Sequence, residues 1–311
     1  MFEIKRYSSD LKSSWDQFVL NSKNGTFLFQ RDYMDYHSNR FCDNSFLIYR
    51  KGKLYALLPG NKVGNIFYSH QGLTYGGFIL NSKAVTTEVL EIFDKVNEIL
   101  KEEGCLKVVY KTIPFIYHIY PAQEDLYALF RLNAKIIGRN ISSTIIQSNK
   151  IKFTESRKSG IRKALSNNIT VNGSDDLTSF WSILDSNLKE RYGVAPVHSL
   201  DEIKMLQSKF PQNIKLYLAF KGNQVLGGTL LYITKQVVHT QYISASLQGK
   251  ELGVLDLLFD YIINVKYSDY LYFDFGQSTE QMGNILNTSL IFQKEGFGGR
   301  GICYDIYEYE L

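Results

Sequence analysis

Apolar and polar positions from residue 237 to 243 set β-branched and aromatic side chains in a strand-like run, Val237-Val238-His239-Thr240-Gln241-Tyr242-Ile243. The pattern breaks over Ser246-Leu247-Gln248-Gly249-Lys250-Glu251-Leu252-Gly253, whose two glycines and polar residues read as a loop. Val254, Leu258, Tyr261, Ile262 and Val265 then follow at helical spacing. A second strand runs from Tyr270 to Phe275 and stops at Gly276. This is a βαβ unit, and its loop is suited to an anion. Loop amides and the N-terminus of the next helix donate hydrogen bonds there, and the helix dipole adds partial positive charge.

The same order occurs earlier in the chain. Phe2 to Tyr7 predicts an opening strand, Ser13 to Val19 a helix, and Tyr33, Tyr36 and His37 a second short helix. Two strands, Phe46 to Tyr49 and Leu54 to Leu58, meet at the hairpin signal Lys51-Gly52. An aromatic, glycine-rich stretch follows, then a helix with Val89, Phe93, Val96 and Leu100 on one face, closed by Gly104. The strand Leu106 to Tyr110 completes the unit. In the second half Leu216 to Phe220, Lys221-Gly222 and Val225 to Leu231 form another hairpin, offset from the first by 170 residues. The helices that begin at Val89 and Val254 are 165 apart. Two hairpin–helix–strand units at a near-constant offset read as an internal duplication. The expected fold class is α/β (α+β), with mixed sheets flanked by helices. A polar stretch from Gln147 to Ile151 sets the expected domains at 1–148 and 149–311.

Composition narrows the picture. A chain of 311 residues accommodates two domains of ordinary size. Its 44% hydrophobic and 21% charged residues allow a sizeable core. The net charge of +4 is too small to argue for DNA or a membrane surface. Cys42, Cys105 and Cys303 are odd in number and lack metal spacing, so neither disulfides nor a metal is expected. The N-terminal residues lack the apolar core of a signal peptide, and no run is long enough to span a bilayer. A cytoplasmic protein is expected. There is no Gly-x-Ser-x-Gly elbow, Walker loop or His-Glu-x-x-His.

The strand end Tyr272-Phe273-Asp274-Phe275-Gly276 and the tail from Gly283 through Lys294-Glu295-Gly296-Phe297-Gly298 carry a resemblance. The chain resembles the FemABX-like branch of the GNAT acyltransferases, including its polysaccharide-biosynthesis members. There a Tyr/Phe-Asp-Phe-Gly strand end precedes a short helix, then a Lys and a Phe-Gly near the C-terminus. With the two halves, the resemblance covers most of the chain. It implies tandem GNAT-like folds, two halves around one cleft. It also implies an enzyme moving an acyl group from acetyl-CoA or another acyl-CoA to a sugar amine or hydroxyl in cell-surface polysaccharide biosynthesis. The acceptor would be a small-molecule or nucleotide- or lipid-linked sugar. One alternative is an aminoacyltransferase that uses aminoacyl-tRNA for peptidoglycan cross-bridges, although the second half has no coiled-coil arm of the kind some of these carry. Another is a non-catalytic module binding a glycan or nucleotide sugar.

GNAT-type transfer needs a splayed strand whose amide polarises the donor carbonyl, and often a base for the acceptor. The resemblance places the splayed strand at Thr240 to Ser244. It places the coenzyme A pyrophosphate over Gln248 to Gly253, with Ser246, Gln248, Gly249, Lys250 and Gly253 as contacts. These depart from the usual Gln/Arg-x-x-Gly-x-Gly/Ala signature. In the first half Gly76-Gly77-Phe78 is an aromatic turn less suited to pyrophosphate, so the donor site is expected in the second half only. His239 and Tyr242 are candidate base and acid, though a lone strand histidine is often simply hydrogen-bonded. Asp274 would orient a substrate group or accept a proton; its plainer role is to cap the next turn. Lys294, read as lying past the last helix, would stabilise an oxyanion. Arg191-Tyr192 resembles the substrate-phosphate region of the family. Between the halves lies a basic cluster, Lys150, Lys152, Arg157, Lys158, Arg162 and Lys163, on a helix capped by Thr154 or Ser156. It reads either as a solvated face or, through Arg157 and Arg162, as a phosphate contact. Tyr33 and His37 would face the cleft from the first half.

Overall fold

The structure, a computed structural model, describes residues 2–311 apart from the side chain of Tyr192. The chain divides into two units. The first takes residues through Asn140 with Thr279–Ile285 and Cys303–Leu311; the second takes Ile141–Ser278 and Leu286–Ile302.

In the first unit Phe2–Arg6, Phe46–Arg50, Lys53–Leu58 and Ile79–Leu80 form an antiparallel sheet in that order. The hairpin turns at Lys51 and Gly52, with φ of 50° and 72°. Positive φ at both central positions matches the twist of the flanking strands. Asn61–Val63, Ile66–Tyr68 and Lys107–Lys111 form further strands, and Ile306 to Glu310 pair antiparallel with Lys107–Lys111. The helix Thr86–Glu102 buries Val89, Ile92, Phe93, Val96 and Leu100, the stripe its spacing predicts, against Ile48, Ala56 and Phe78. The aromatic turn is packed shut. Phe78 N donates to the Tyr110 hydroxyl at 2.7 Å, and Gly77, at φ 88°, lies so near that oxygen that a Cβ would come within 2.5 Å.

In the second unit the strand order is Lys135–Ile146, Tyr272–Gln277, Val237–Ala245, Gln224–Ile233, Ile214–Lys221 and Ile169–Ser174. All neighbours are antiparallel except Val237–Ala245 with Tyr272–Gln277, which the crossover helix Val254–Tyr261 makes parallel. Leu258, Phe259, Ile262, Phe273, Phe275 and Phe297 meet in its core. The fold class is the expected one, mixed α/β with mixed sheets flanked by helices. Among the described residues no helix is long and apolar enough to cross a membrane.

Three local expectations change. Residues after Ser246 are not a loop but a short helix, Leu247–Glu251, capped by the Ser246 hydroxyl accepting from Gly249 N at 3.1 Å. The strand Tyr272–Gln277 runs through Gly276, which adopts φ 74°, rather than stopping there. Lys294 lies inside the helix Thr288–Gly296, in its last turn, not beyond it.

Candidate active site

Val237–Ala245 pairs with Tyr272–Gln277 at only three positions, Val237 with Tyr272, Val238 with Phe273 and His239 with Asp274. Beyond that last pair the strands part. One cause is a bulge: Leu230 faces Tyr242 and Leu231 faces Thr240, so Gln241 is the extra residue and its strand bends. The other is a register jump between Asp274 and Gln277 against Lys135–Ile146. A cavity of about 470 Å³ lies between the arms, walled by Ile243, Ser244 and Ala245 on one side and Phe275 on the other. Leu255, Phe259 and Phe297 make its interior apolar, while Arg157, Arg191, Lys250 and Lys294 bring positive charge to its walls. Every lining residue belongs to the second unit.

Lys294 is buried, and its Nζ donates to Gly276 O at 2.9 Å and Gln277 O at 2.7 Å. Burial lowers its pKa to about 8, against the pull of the Asp274 charge. Two carbonyls occupy two of the three N–H positions of an ammonium and leave one.

At the vertex of the parting strands, Asp274 is fully buried and meets His239 Nδ1 at 2.7 Å. Its other oxygen accepts from Ser142 Oγ at 2.5 Å and Thr144 Oγ1 at 2.6 Å. Burial pushes the Asp274 pKa up, but the bonds from His239, Ser142 and Thr144 outweigh it and hold the carboxyl below its ordinary value. An ionised Asp274 is an acceptor only, so His239 carries a proton on Nδ1, and in the neutral imidazole the lone pair lies on Nε2. The imidazole lies over Gly276, where a Cβ would come within 3.1 Å of His239 Cε1. Neither His239 nor Asp274 lines the cavity. Strand alternation turns Asp274 to the face opposite Phe275.

The remaining predicted residues divide. Arg157, Arg191 and Lys250 line the cavity; Arg162, Gln248, Tyr33 and His37 do not. Arg157 binds Asp256 Oδ1 at 2.7 Å and covers the Phe297 ring. Arg162, five residues on, is exposed, because that step turns a helix by about 140°. Tyr242 is half-buried against Trp181 and shares a 2.6 Å hydrogen bond with His198 Nδ1; desolvation raises its pKa. It too is absent from the cavity wall. Gln248 is exposed. Gly249 packs so tightly on the neighbouring strand backbone that a Cβ would come within 2.3 Å of Leu226 O. Gly253, at φ 70°, lies against Gly160 of the helix Glu155–Ser166, where a Cβ would come within 2.6 Å of Gly160 O. Both glycines therefore serve close packing. Their amides and that of Lys250 already donate, to Ser246 Oγ, Lys250 O and Ser246 O respectively. Three of the amides expected for pyrophosphate are thus engaged within their own turn. Tyr33 and His37 are buried among aromatic rings of the first unit, Tyr33 against Phe27 and His37 against His70. The side chain of Tyr192 lies outside the described residues. The basic-cluster helix has Thr154 at its N-cap, although the Thr154 hydroxyl meets Ser156 Oγ instead of a backbone amide.

Asn187 was not among the expected site residues. Its Nδ2 donates to Ser244 Oγ at 2.8 Å and Ala245 O at 2.9 Å, and its Oδ1 accepts from Lys250 Nζ at 2.8 Å. It ties one arm of the cavity to a cation at its wall. Leu184, Asn187, Leu188 and Arg191 stand at i, i+3, i+4 and i+7 on the helix Leu177–Tyr192, and all four line the cavity. That spacing was available in the sequence.

No family model matches the chain, and no curated protein matches it in sequence. Solved structures do match. A crystal structure of FemX superposes with a TM-score of 0.70 at 14% identity, covering 99% of this chain and 97% of that one. L-PGS from Bacillus licheniformis gives 0.61 at 12% identity, over 98% and 92% of the two chains. A tandem GNAT protein from the clavulanic acid biosynthesis pathway gives 0.51 at 7% identity, over 100% and 98%. The chain has a tandem GNAT-like fold with a structural resemblance to FemX.

Proposed function

We propose that the chain is an acyltransferase whose activated acyl donor enters the cavity of the second unit. The observation that carries this reading is the parting of two strands at the His239–Asp274 pair, beside the buried amine of Lys294. An acceptor amine or hydroxyl would reach the gap between the arms from the His239 face and attack the donor carbonyl held in the cavity. His239 Nε2 would take the acceptor proton and return it to the leaving thiol or hydroxyl, with Asp274 fixing the tautomer. The remaining N–H of Lys294 would donate to the developing oxyanion. As donor we propose acyl-CoA, its phosphates met by the side chains of Arg157, Arg191 and Lys250. As acceptor we propose an amine or hydroxyl of a nucleotide- or lipid-linked sugar in cell-surface polysaccharide assembly, in the cytoplasm.

One observation favours a second donor. The amides of Gly249, Lys250 and Gly253 are engaged within their own turn, so these three are not free to bind a pyrophosphate. An aminoacyl ester of tRNA needs no such amides. Thermal melts with saturating acetyl-CoA or with a non-hydrolysable aminoacyl-adenosine distinguish the two. A bound ligand raises stability by about 2.7 kcal/mol at a hundredfold excess over Kd. A rise with acetyl-CoA supports the first donor, and a rise with the adenosine alone selects the second. No rise with either overturns the placing of an acyl donor in this cavity.

A further inference from the structure

A second cleft, of about 780 Å³, shares no lining residue with the acyl cavity. It opens at the start of the strand Ile214–Lys221, between the helix Leu200–Lys209 and the segment from Lys266 to Tyr270. Two buried tyrosines close part of its wall: the hydroxyls of Tyr217 and Tyr267 are 3.0 Å apart. The ring of Tyr270 stands edge-on to Tyr267, with centroids 5.5 Å apart, and is only partly covered. Opposite Tyr217 in the strand register is Gly173, where a Cβ would make only an ordinary 3.7 Å contact with the Tyr217 ring. The missing side chain leaves space beside that ring.

Three lysines, Lys204, Lys215 and Lys266, line the cleft beside one carboxylate, that of Asp175. Lys215 shares the strand face of Tyr217, and Lys266 lines the same cleft. Neither ammonium has a hydrogen bond or ion pair with any described residue. Asp175, Gln207 and Gln212 supply a carboxylate and two amides, groups that accept from and donate to hydroxyls. The carboxylate tells against a polyanion such as RNA, whose successive phosphates would meet it. We infer that this cleft binds an anionic saccharide: hydroxyls on Asp175 and the two glutamines, a ring face on Tyr270, and a carboxylate or phosphate on Lys215 and Lys266. This site stands apart from the proposed acyl transfer and does not depend on it.

The test uses the full chain and saturation-transfer NMR with glucuronate, glucose phosphate, glucose and a short single-stranded RNA, and reads inorganic phosphate by its competition with the sugar signals. Either or both anionic sugars should bind, identifying carboxylate or phosphate as the anchor. Glucose and inorganic phosphate alone should each bind at least about tenfold more weakly, a difference of roughly 1.4 kcal/mol. Lys215→Ala with Lys266→Ala should lower the affinity by about tenfold or more through loss of the charge-assisted bonds. Gly173→Val, which suits a strand and leaves every charge in place, should block binding by filling the space beside the Tyr217 ring. Thermal melts check that both variants fold. Three results would overturn the inference: no binding of either anionic sugar at tens of millimolar, binding retained in both folded variants, or RNA binding more tightly than the sugars and lost in both.

Discussion

Replacing Lys294 by Met tests the buried amine without needing an acceptor. Burial lowers its pKa from the ordinary 10.5 to about 8. A fall of about 2.5 pH units at roughly 1.36 kcal/mol each disfavours the charged form in the fold by about 3 kcal/mol. The sign follows from proton counting. Between pH 8 and 10.5 the unfolded chain holds this proton more often than the native one does, so stability rises with pH across that window. Below it both states are charged and the full penalty stands. Lys294→Met lacks this contribution, while other lysines and tyrosines titrate alike in both proteins. The stability difference, wild type minus variant, should therefore grow by about 3 kcal/mol across the window. Urea unfolding at several pH values reads it. Parallel pH dependence in the two proteins would refute a buried, depressed amine at this position. The substitution also strips the donor from Gly276 O and Gln277 O, so some loss of melting temperature is expected with it. Once an acceptor is known, kcat should fall by about 10²–10³-fold with KM held, if the third N–H serves the oxyanion.

Asp274→Asn should leave His239 without its acceptor and lower kcat by about 10²–10⁴-fold; unchanged kcat in a folded variant would remove the dyad from the mechanism. Because the carboxyl pKa is held below its ordinary value, the stability this network contributes is present above the ordinary carboxylate pKa and is lost as pH falls through the native one. Acid unfolding of the wild type, compared with the variant, reads that loss. Arg157→Ala and Arg162→Ala should behave differently: the first leaves Asp256 buried without its partner, lowering the melting temperature and raising KM, while the second should move stability by less than about 0.5 kcal/mol. Equal melting temperatures for the two variants would sink the distinction.

The hairpins, the crossover helix and the strand Tyr272–Gln277 were legible because alternation and helical spacing are local properties. Close packing is not local, and the site was misread where it decides. Gly249 and Gly253 look like phosphate-loop glycines, yet Leu226 O and Gly160 O explain them. Ser246 looks like a loop residue but caps a helix, because its hydroxyl finds Gly249 N three residues on. Arg157, Arg191, Lys250 and Lys294 reach the cavity, whereas Arg162 is turned away by helical rotation and Asp274 by strand alternation. The partners of Asp274, Ser142 and Thr144, lie 132 and 130 residues away in sequence, and no spacing rule reveals them. Asn187 had a legible signal in its helix face; what it binds had none.

Each unit holds one amine whose pKa burial lowers to about 8, Lys111 in the first and Lys294 in the second. The difference lies in what surrounds them. Lys111 Nζ meets three carbonyls, Leu73 O at 2.5 Å, Gln71 O at 3.1 Å and His70 O at 3.4 Å, which account for all three of its N–H positions. It ties down the glycine-rich segment beside it. Lys294 meets two carbonyls, and a cavity takes the place of the third. The backbone differs in the same sense: Phe78 N, in the aromatic turn, is occupied by the Tyr110 hydroxyl, while the strand at Gly276 parts from its neighbour. An amine with every hydrogen committed can only hold structure. One with a hydrogen left over, beside a cavity, can respond to charge that develops during a reaction, and this supports the proposal that the chemistry lies in the second unit.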